Sequence, residues 1–504
     1  MPNVKRPTDR VSDYTEKYRP QFHFTPEENW MNDPNGLVYY AGEYHLFYQY
    51  HPNGRKWGPM HWGHAVSQDL LRWEHLPIAL EPDEYGMIFS GSVVVDWENT
   101  SGLFTGGEGL VAIFTHHDEQ LGIQSQSLAY SQDKGRTWQK YDGNPVLTNG
   151  EEKDFRDPKV FWHDDTNKWV MVVAAGQKVM LYGSKNLIEW DYLSEFGSTD
   201  GAHGGVWECP DLFPLPVDGN HAKKKWVLQV DLGAGAIAGG SGGQYFIGEF
   251  DGVSFTNDRP ASETLWVDYG RDFYAAQSFS DLPSADGRRI WLAWMSDWTY
   301  ANELPTNPWR SAMSIPREVG LRETVNGDIT LVQQPIAELR TLRQSKLVIE
   351  NEMVDETVNV LANQAENVFE IVATVENLTA SEFGFNVRKS SGHDQGTIIG
   401  YRTNDQQVFV DREHSGESEF HQAFKGRHSI QVKGETGCVT FHIFVDKSSV
   451  ELFLNDGEVV ITDLIFPEDD SKAMEFYVKG GEVRLVSLEL YALQSTWEHV
   501  TGRK

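Results

Sequence analysis

Alternation of apolar and polar residues in short runs, cut by Gly, Pro, Asn and Asp, is the dominant pattern of this 504-residue chain. Leu37–Tyr50 (LVYYAGEYHLFYQY) is one such run. Between residues 21 and 340 a loose internal repeat appears. SQDLLRW from Ser67 resembles SQDKGRTW from Ser131 and SKNLIEW from Ser184, with a weaker echo, GEFDGVSF, from Gly248. β-rich runs such as His64–Ser67 and Val179–Ser184 lead into these markers. A β-rich period of about 60 residues reads as propeller blades of four strands, and the repeat region holds about five. Gln334–Arg343 is the best short helix or linker candidate. Beyond it tryptophan disappears until Trp497, and alternating strands such as Phe369–Val375, Thr440–Asp446 and Ser449–Leu454 take over. The last is closed by the hairpin signal Asn455-Asp-Gly457. This texture predicts a β-sandwich. The expected fold is all-β: a lead-in (1–20), a five-bladed β-propeller (21–340), a linker (341–349), a C-terminal β-sandwich (350–495) and a tail (496–504).

Composition narrows the partners. Acidic residues number 74 against 43 Lys and Arg, a net charge of −31, which argues against nucleic acid or an anionic membrane. No apolar run of 18 residues and no signal-peptide core near Met1 is visible, so the expectation is a soluble, cytoplasmic protein, or a secreted one supplied without its leader. Two distant cysteines, Cys209 and Cys438, make no disulfide framework. His61, His64, His116 and His117 lack ligand spacing with a second acid and read as strand or loop residues, so neither metal nor other cofactor is expected. Oligomeric state stays open.

The chemistry gathers in the repeat region. Trp30-Met-Asn-Asp-Pro-Asn-Gly36 carries turn chemistry at Asp33–Gly36, with Pro34 presetting its φ and Asn35 or Gly36 free to take φ > 0. Trp30 and Met31 place that acid at the floor of an apolar cleft. Phe155-Arg-Asp-Pro158 and Trp207-Glu-Cys-Pro210 likewise set an acid near a proline, early in a repeat unit. Each acid alone would be read as a solvated turn residue. Three at equivalent blade positions converge on one axial pocket, because innermost strands line a propeller's channel. Two carboxylates flanking a glycosidic bond are the equipment of glycoside hydrolysis: one ionised to attack, one protonated to release the leaving group. Arg156 should hold its neighbour Asp157 ionised, whereas the apolar flanks Trp207 and Cys209 should raise the pKa of Glu208, as a general acid requires.

These motifs, with Tyr48-Gln-Tyr50, Trp57-Gly-Pro-Met-His-Trp-Gly-His-Ala65, Phe89-Ser-Gly-Ser92 and Phe444–Phe453 (FVDKSSVELF), together resemble glycoside hydrolase family 32, the invertases, inulinases and levanases. The resemblance implies the same propeller and sandwich, and a retaining, exo-acting β-fructosidase for sucrose, inulin or levan. It implies Asp33 as nucleophile, Glu208 as acid/base and Asp157 as transition-state stabiliser. Asn32 and Gln49 would hydrogen-bond the nucleophile and the fructosyl ring, Ser90 and Arg156 would bind hydroxyls, and Trp57 and Phe89 would wall the pocket. Trp294 or Trp298 should border the sugar, and Tyr274 should modulate Glu208. The rival readings are a propeller hydrolase for other glycosides and a non-catalytic fructan-binding propeller. The sandwich, without an evident aromatic platform, is expected to be structural.

Overall fold

A computed structural model describes residues 13–148, 152–324, 326–390, 395–432 and 437–497. Among them the protein is almost wholly β, its few helical turns being short 3-10 segments. No helix of the described residues is long and apolar enough to cross a membrane.

The first part is a succession of antiparallel meanders. Their opening strands are β1 (Asn29–Tyr40), β2 (Met87–Asp96), β3 (Phe155–His163), β4 (Trp207–Val217) and β5 (Tyr274–Ser278). Behind β1 lie Glu43–His51, His61–Ser67 and Trp73–Leu80 in order, and β3 and β4 are each backed by three strands in the same way. The opening strands touch one another in a closed cycle, β1 to β2 to β3 to β4 to β5 and back to β1. Nearly every residue of β1, β2 and β5 is buried, because each has a sheet behind it and neighbouring strands beside it. The sheets thus fit a propeller whose innermost strands surround one axis. Trp309–Arg310, from the last meander, pairs in parallel with the start of β1 and ties the two ends together.

The repeated Ser-Asp/Asn-Trp segments are one recurring turn. In each the serine hydroxyl contacts the Asp or Asn two residues on: Ser67 with Asp69 at 3.0 Å, Ser131 with Asp133 at 2.8 Å, Ser184 with Asn186 at 3.2 Å. Each tryptophan indole then donates to a carbonyl three residues back, Trp73 to Leu70, Trp138 to Gly135, Trp190 to Leu187. The polar side chain replaces a backbone turn and the indole closes it.

Ala337–Leu342 is a 3-10 helix, as the Gln334–Arg343 segment suggested. The stretch 341–349 is no free linker: Arg343–Asp355 is already an edge strand, paired with Glu482–Leu493. A six-stranded and a five-stranded sheet then face each other across a core that includes Phe369, Phe383, Phe385, Phe441 and Phe476. Asn455 and Asp456 both take positive φ in the Leu454–Gly457 hairpin, as its sequence demanded. The first and last described segments meet. Trp497 stacks on Tyr14 at 4.1 Å and its indole donates to the Pro20 carbonyl, so the lead-in from residue 13 and the tail to residue 497 form one packed seam; residues 1–12 and 498–504 lie outside the described residues.

Candidate active site

Asp33–Gly36 is not a turn. It runs inside β1, where the pairing to Glu43–His51 slips between Met31 and Pro34 and again between Asn35 and Val38. Proline and a positive-φ glycine serve a β-bulge as well as a turn, and the bulge swings the acid toward the axis. Every inner strand does the same at the corresponding place. Pairing slips between Ile88 and Gly91 on β2, Arg156 and Lys159 on β3, Glu208 and Asp211 on β4, and Tyr274 and Gln277 on β5. Asp157, Cys209 and Ala275, the residues inside the last three bulges, have φ of 65°, 47° and 57°. Such strained backbone collects at functional sites.

The bulges bring the three acids together. Asp33 Oδ2 accepts from Ser90 Oγ at 2.7 Å and Oδ1 from Asn32 Nδ2 at 3.0 Å, while Asn32 Oδ1 is held by the Trp30 indole at 2.7 Å. Asp157 Oδ2 accepts the Cys209 amide at 3.0 Å, and the Asp157 amide donates to Thr115 Oγ1 at 3.0 Å. The Cys209 thiol lies 3.5 Å from Asp33 Oδ2 and 3.6 Å from Asp157 Oδ2, bridging the two carboxylates. Burial, reinforced by both acids, pushes that thiol up, so it stays a neutral donor. Glu208 Oε1 accepts from Arg156 Nε at 2.9 Å, and Oε2 accepts the Tyr274 hydroxyl.

Electrostatics follow from burial. Asp33 is raised first by desolvation and then by Glu208, against which Ser90, Asn32 and Cys209 donate. Asp157 is raised by desolvation, with Arg156 pulling it back and Glu208 and Asp33 adding to it. Burial and the neighbouring carboxylates thus both oppose ionisation of Asp33 and Asp157.

Several expectations need correction. Arg156 pulls Asp157 down but does not hold it ionised, because burial outweighs it; the guanidinium pairs instead with Glu208 and Asp154 at 2.9 Å and donates to Gln124 Oε1 at 3.2 Å. The bulge at Asp157 sets the two side chains on different partners, which adjacency in sequence hides. For the same reason Glu208 meets a cation and a phenol rather than its apolar flanks. Gln49 sits one strand behind β1, and its Nε2 donates to Asn35 Oδ1 and the Ile88 carbonyl, not to Asp33. Ser90 is occupied by the nucleophile candidate itself. Trp294 is fully buried behind the site against Trp30 and Trp298, whereas Trp298 is part-exposed and so is the one that can border a ligand. Trp57, exposed, and Phe89, half-buried, stand edge to face at 6.2 Å on another side, and Phe89 stacks on His117 at 4.6 Å. The other histidines are spent on structure: His61 on the Pro59 carbonyl, His64 on His45, His116 on Ser127.

Two features went unread in the sequence. Just past the acids on the same strands, buried Lys159 pairs with Asp211 at 3.3 Å and donates to the Ser278 carbonyl at 2.6 Å, tying β3, β4 and β5 together behind the site. One buried lysine thus cross-links three of the five inner strands just beyond the acids. The second is a fourth buried acid, Asp231, next to Glu208.

Sequence comparison fits this geometry. Residues 23–335 match the profile described as Glycosyl hydrolases family 32 N-terminal domain, and residues 338–492 match Glycosyl hydrolases family 32 C terminal. The chain belongs to glycosyl hydrolase family 32. It is 58% identical over 489 residues to a levanase of Bacillus subtilis, covering 96% of this chain and 72% of that one. To an extracellular exo-inulinase of Aspergillus awamori it is 41% identical over 525 residues, covering 96% of each. Among solved structures it resembles the Aspergillus awamori exo-inulinase with a TM-score of 0.89 at 40% identity, covering 96% of this chain and all of that one. It also resembles the β-fructofuranosidase of Schwanniomyces occidentalis complexed with fructosyl-erythritol, with a TM-score of 0.88 at 35% identity over 96% of this chain and 99% of that one. As a family 32 member the protein is a glycoside hydrolase.

Proposed function

We propose that this enzyme removes terminal β-D-fructofuranosyl residues from sucrose and β-fructans, with retention, through a covalent fructosyl-enzyme. The observation that carries the reading is the meeting of Asp33, Asp157 and Glu208 among the inner strands, each with a different set of partners. The names of its relatives, levanase, exo-inulinase and β-fructofuranosidase, supply the substrate class.

Asp33 is the nucleophile. Ser90 and Asn32 donate to its two oxygens, favouring the carboxylate that burial disfavours and aiming it at the anomeric carbon. Glu208 is the acid/base. It protonates the departing glycosidic oxygen as Asp33 attacks, and then takes a proton from the water that releases fructose. Arg156 and Tyr274 fix one oxygen each, so its geometry is set before substrate arrives. Asp157, anchored by the Cys209 amide, accepts from fructose hydroxyls and offsets the positive charge of the oxocarbenium-like transition state. Trp57, Phe89 and Trp298 offer apolar faces to sugar C–H surfaces. The Lys159–Asp211 plug stops a chain from threading through, which favours removal of one terminal residue at a time.

Asp33→Asn separates an enzyme from a binder. The variant should lose turnover of sucrose and inulin while keeping measurable sugar affinity by calorimetry. Glu208→Gln should lower kcat on sucrose by about 10²- to 10⁴-fold. Wild-type-like turnover in either variant would remove that residue from its role.

A further inference from the structure

Of the three acids Glu208 alone is half-buried, Asp33 and Asp157 being buried, so solvent reaches them from its side. There the chain makes a loop, residues 233–241, between the strands Asn220–Leu232 and Gly242–Phe250. Both ends of the loop are pinned. At its start the Gly233 amide donates to the Val206 carbonyl at 3.1 Å, extending the pairing of Trp207 with Leu232. The next two residues lie backbone to backbone on Gly204 and Gly205. A Cβ on Gly204 would stand 2.6 Å from Gly235 Cα, and one on Gly205 2.5 Å from the Ala234 nitrogen, so this contact requires glycine. At the far end the Ser241 amide donates to Asp297 Oδ2 at 2.9 Å, and the Trp298 amide donates to Ser241 Oγ at 3.1 Å. The loop therefore runs as a fixed rim from the acid/base to the tryptophan that can border a ligand.

Gly233 differs from the glycines around it. A Cβ built on it would have one described atom within 4 Å, Glu208 Oε2 at 3.9 Å, and its φ lies outside the left-handed region. Neither packing nor backbone conformation asks for glycine there. What a side chain would take is open space beside the acid/base.

The geometry points to Gly233 as a specificity-determining residue: by carrying no side chain it keeps free the space beside Glu208 that the leaving sugar occupies. A general acid must come within hydrogen-bond reach of the oxygen it protonates, so the first ring of the leaving group lies against that carboxyl. Arg156 and Tyr274 already hold Glu208 from within the site, which leaves its exposed side, faced by Gly233, for that ring. A wall of bare backbone reads no hydroxyl through a side chain. It therefore admits the glucose of sucrose and the second fructose of a fructan alike. The inference rests on the assignment of Glu208 as acid/base.

The test compares wild type, Gly233→Ala and Gly233→Val in the full chain on two substrates, sucrose and methyl β-D-fructofuranoside. Both leaving groups are alkoxides that need a proton from Glu208, but methanol is a single carbon and glucose a full ring. Gly233→Ala should lower kcat/KM on sucrose about 10-fold and Gly233→Val about 100-fold, the range that a methyl-sized misfit in a pocket produces. On the methyl fructoside Gly233→Ala should stay within about twofold of wild type, with an unmoved pH profile, because the partners of Glu208 are untouched. The thermal midpoint of Gly233→Ala should be no lower than that of wild type, since the methyl group meets no clash and no strain. Equal losses on both substrates would mean that the substitution disturbs Glu208 rather than the leaving group's space, and no loss on either would mean that the leaving group lies elsewhere. Each overturns the inference, as does a Gly233→Ala protein that is destabilised or does not fold, because the space would then not be open. If Gly233→Val alone fails to fold, the ratio of the two substrates in Gly233→Ala decides. Wild-type protein that releases fructose from neither substrate would count against the proposed function, and unimpaired sucrose turnover by Glu208→Gln against the acid/base assignment.

Discussion

At the scale of single residues, the site solves the problem of keeping an acid ionised where burial opposes it. Asp33 has three donors, Ser90, Asn32 and the Cys209 thiol, and the shortest is Ser90 at 2.7 Å. A hydrogen bond to a charged group contributes about 1.5–3 kcal/mol. Ser90→Ala should therefore cost roughly 10- to 100-fold in kcat/KM and move the acidic limb of its pH profile upward, because the donor favours the ionised form. An unchanged acidic limb would show that Asn32 and Cys209 suffice. The three acids were legible because each stands near a proline at the same phase of a repeat. Their partners were not. Arg156 was read toward Asp157 by adjacency but reaches Glu208 across the pocket, and Asp231 carries no motif, since its meaning lies in the strands it pairs with.

At the scale of elements, the inner strands are built to be irregular. Each bulge exposes a side chain that regular alternation would have turned into the sheet. The sequence shows the ingredients, Asp-Pro at 33, Asp-Pro at 157 and Cys-Pro at 209, but the same residues make turns, and a turn was the simpler reading of Asp33–Gly36. What decides for a bulge is packing: a Cβ on Gly36 would stand 2.7 Å from both Phe47 and Val93, and its φ is +53°. Gly36→Ala should destabilise the fold by roughly 1–3 kcal/mol through overpacking alone, with further strain from its φ, and should lower the thermal midpoint. A midpoint equal to wild type would mean that β1 can relax around the methyl group. The Ser-Asp-Trp repeat, by contrast, was visible in the sequence, and the structure shows why it recurs: its hydrogen bonds are all local.

At the scale of the whole molecule, the sandwich is joined to the propeller by buried charges. Arg317 meets Asp268 of the propeller and Glu451 of the sandwich, and Arg412 of the sandwich meets Asp272, two residues before Tyr274. His23 in the lead-in bridges Asp446 and Glu451 at 2.8 and 2.9 Å. Burial pulls His23 down, but the two carboxylates prevail and raise it to about 9. Its contribution is fully present below the unfolded value near 6.5 and is lost as pH rises through 9, up to about 3 kcal/mol. His45, His75 and His116 are lowered by burial to about 4 and act in the opposite sense, their stabilisation being lost as pH falls from 6.5 toward 4. The thermal midpoint should therefore fall on both sides of neutrality. His23→Gln should flatten the alkaline side alone, and an identical alkaline slope in the variant would contradict the bridge. Neither this seam nor the edge strand that begins at Arg343 could be read from sequence, because both rest on pairings between distant segments.

The most direct test of the central claim follows the first products released from inulin by proton NMR, before the sugar mutarotates. Free fructose should be the sole early product, and it should appear as the β-furanose, the signature of two displacements at Asp33. A ladder of oligosaccharides would contradict a closed pocket, and α-fructofuranose as the first anomer would contradict a fructosyl-enzyme.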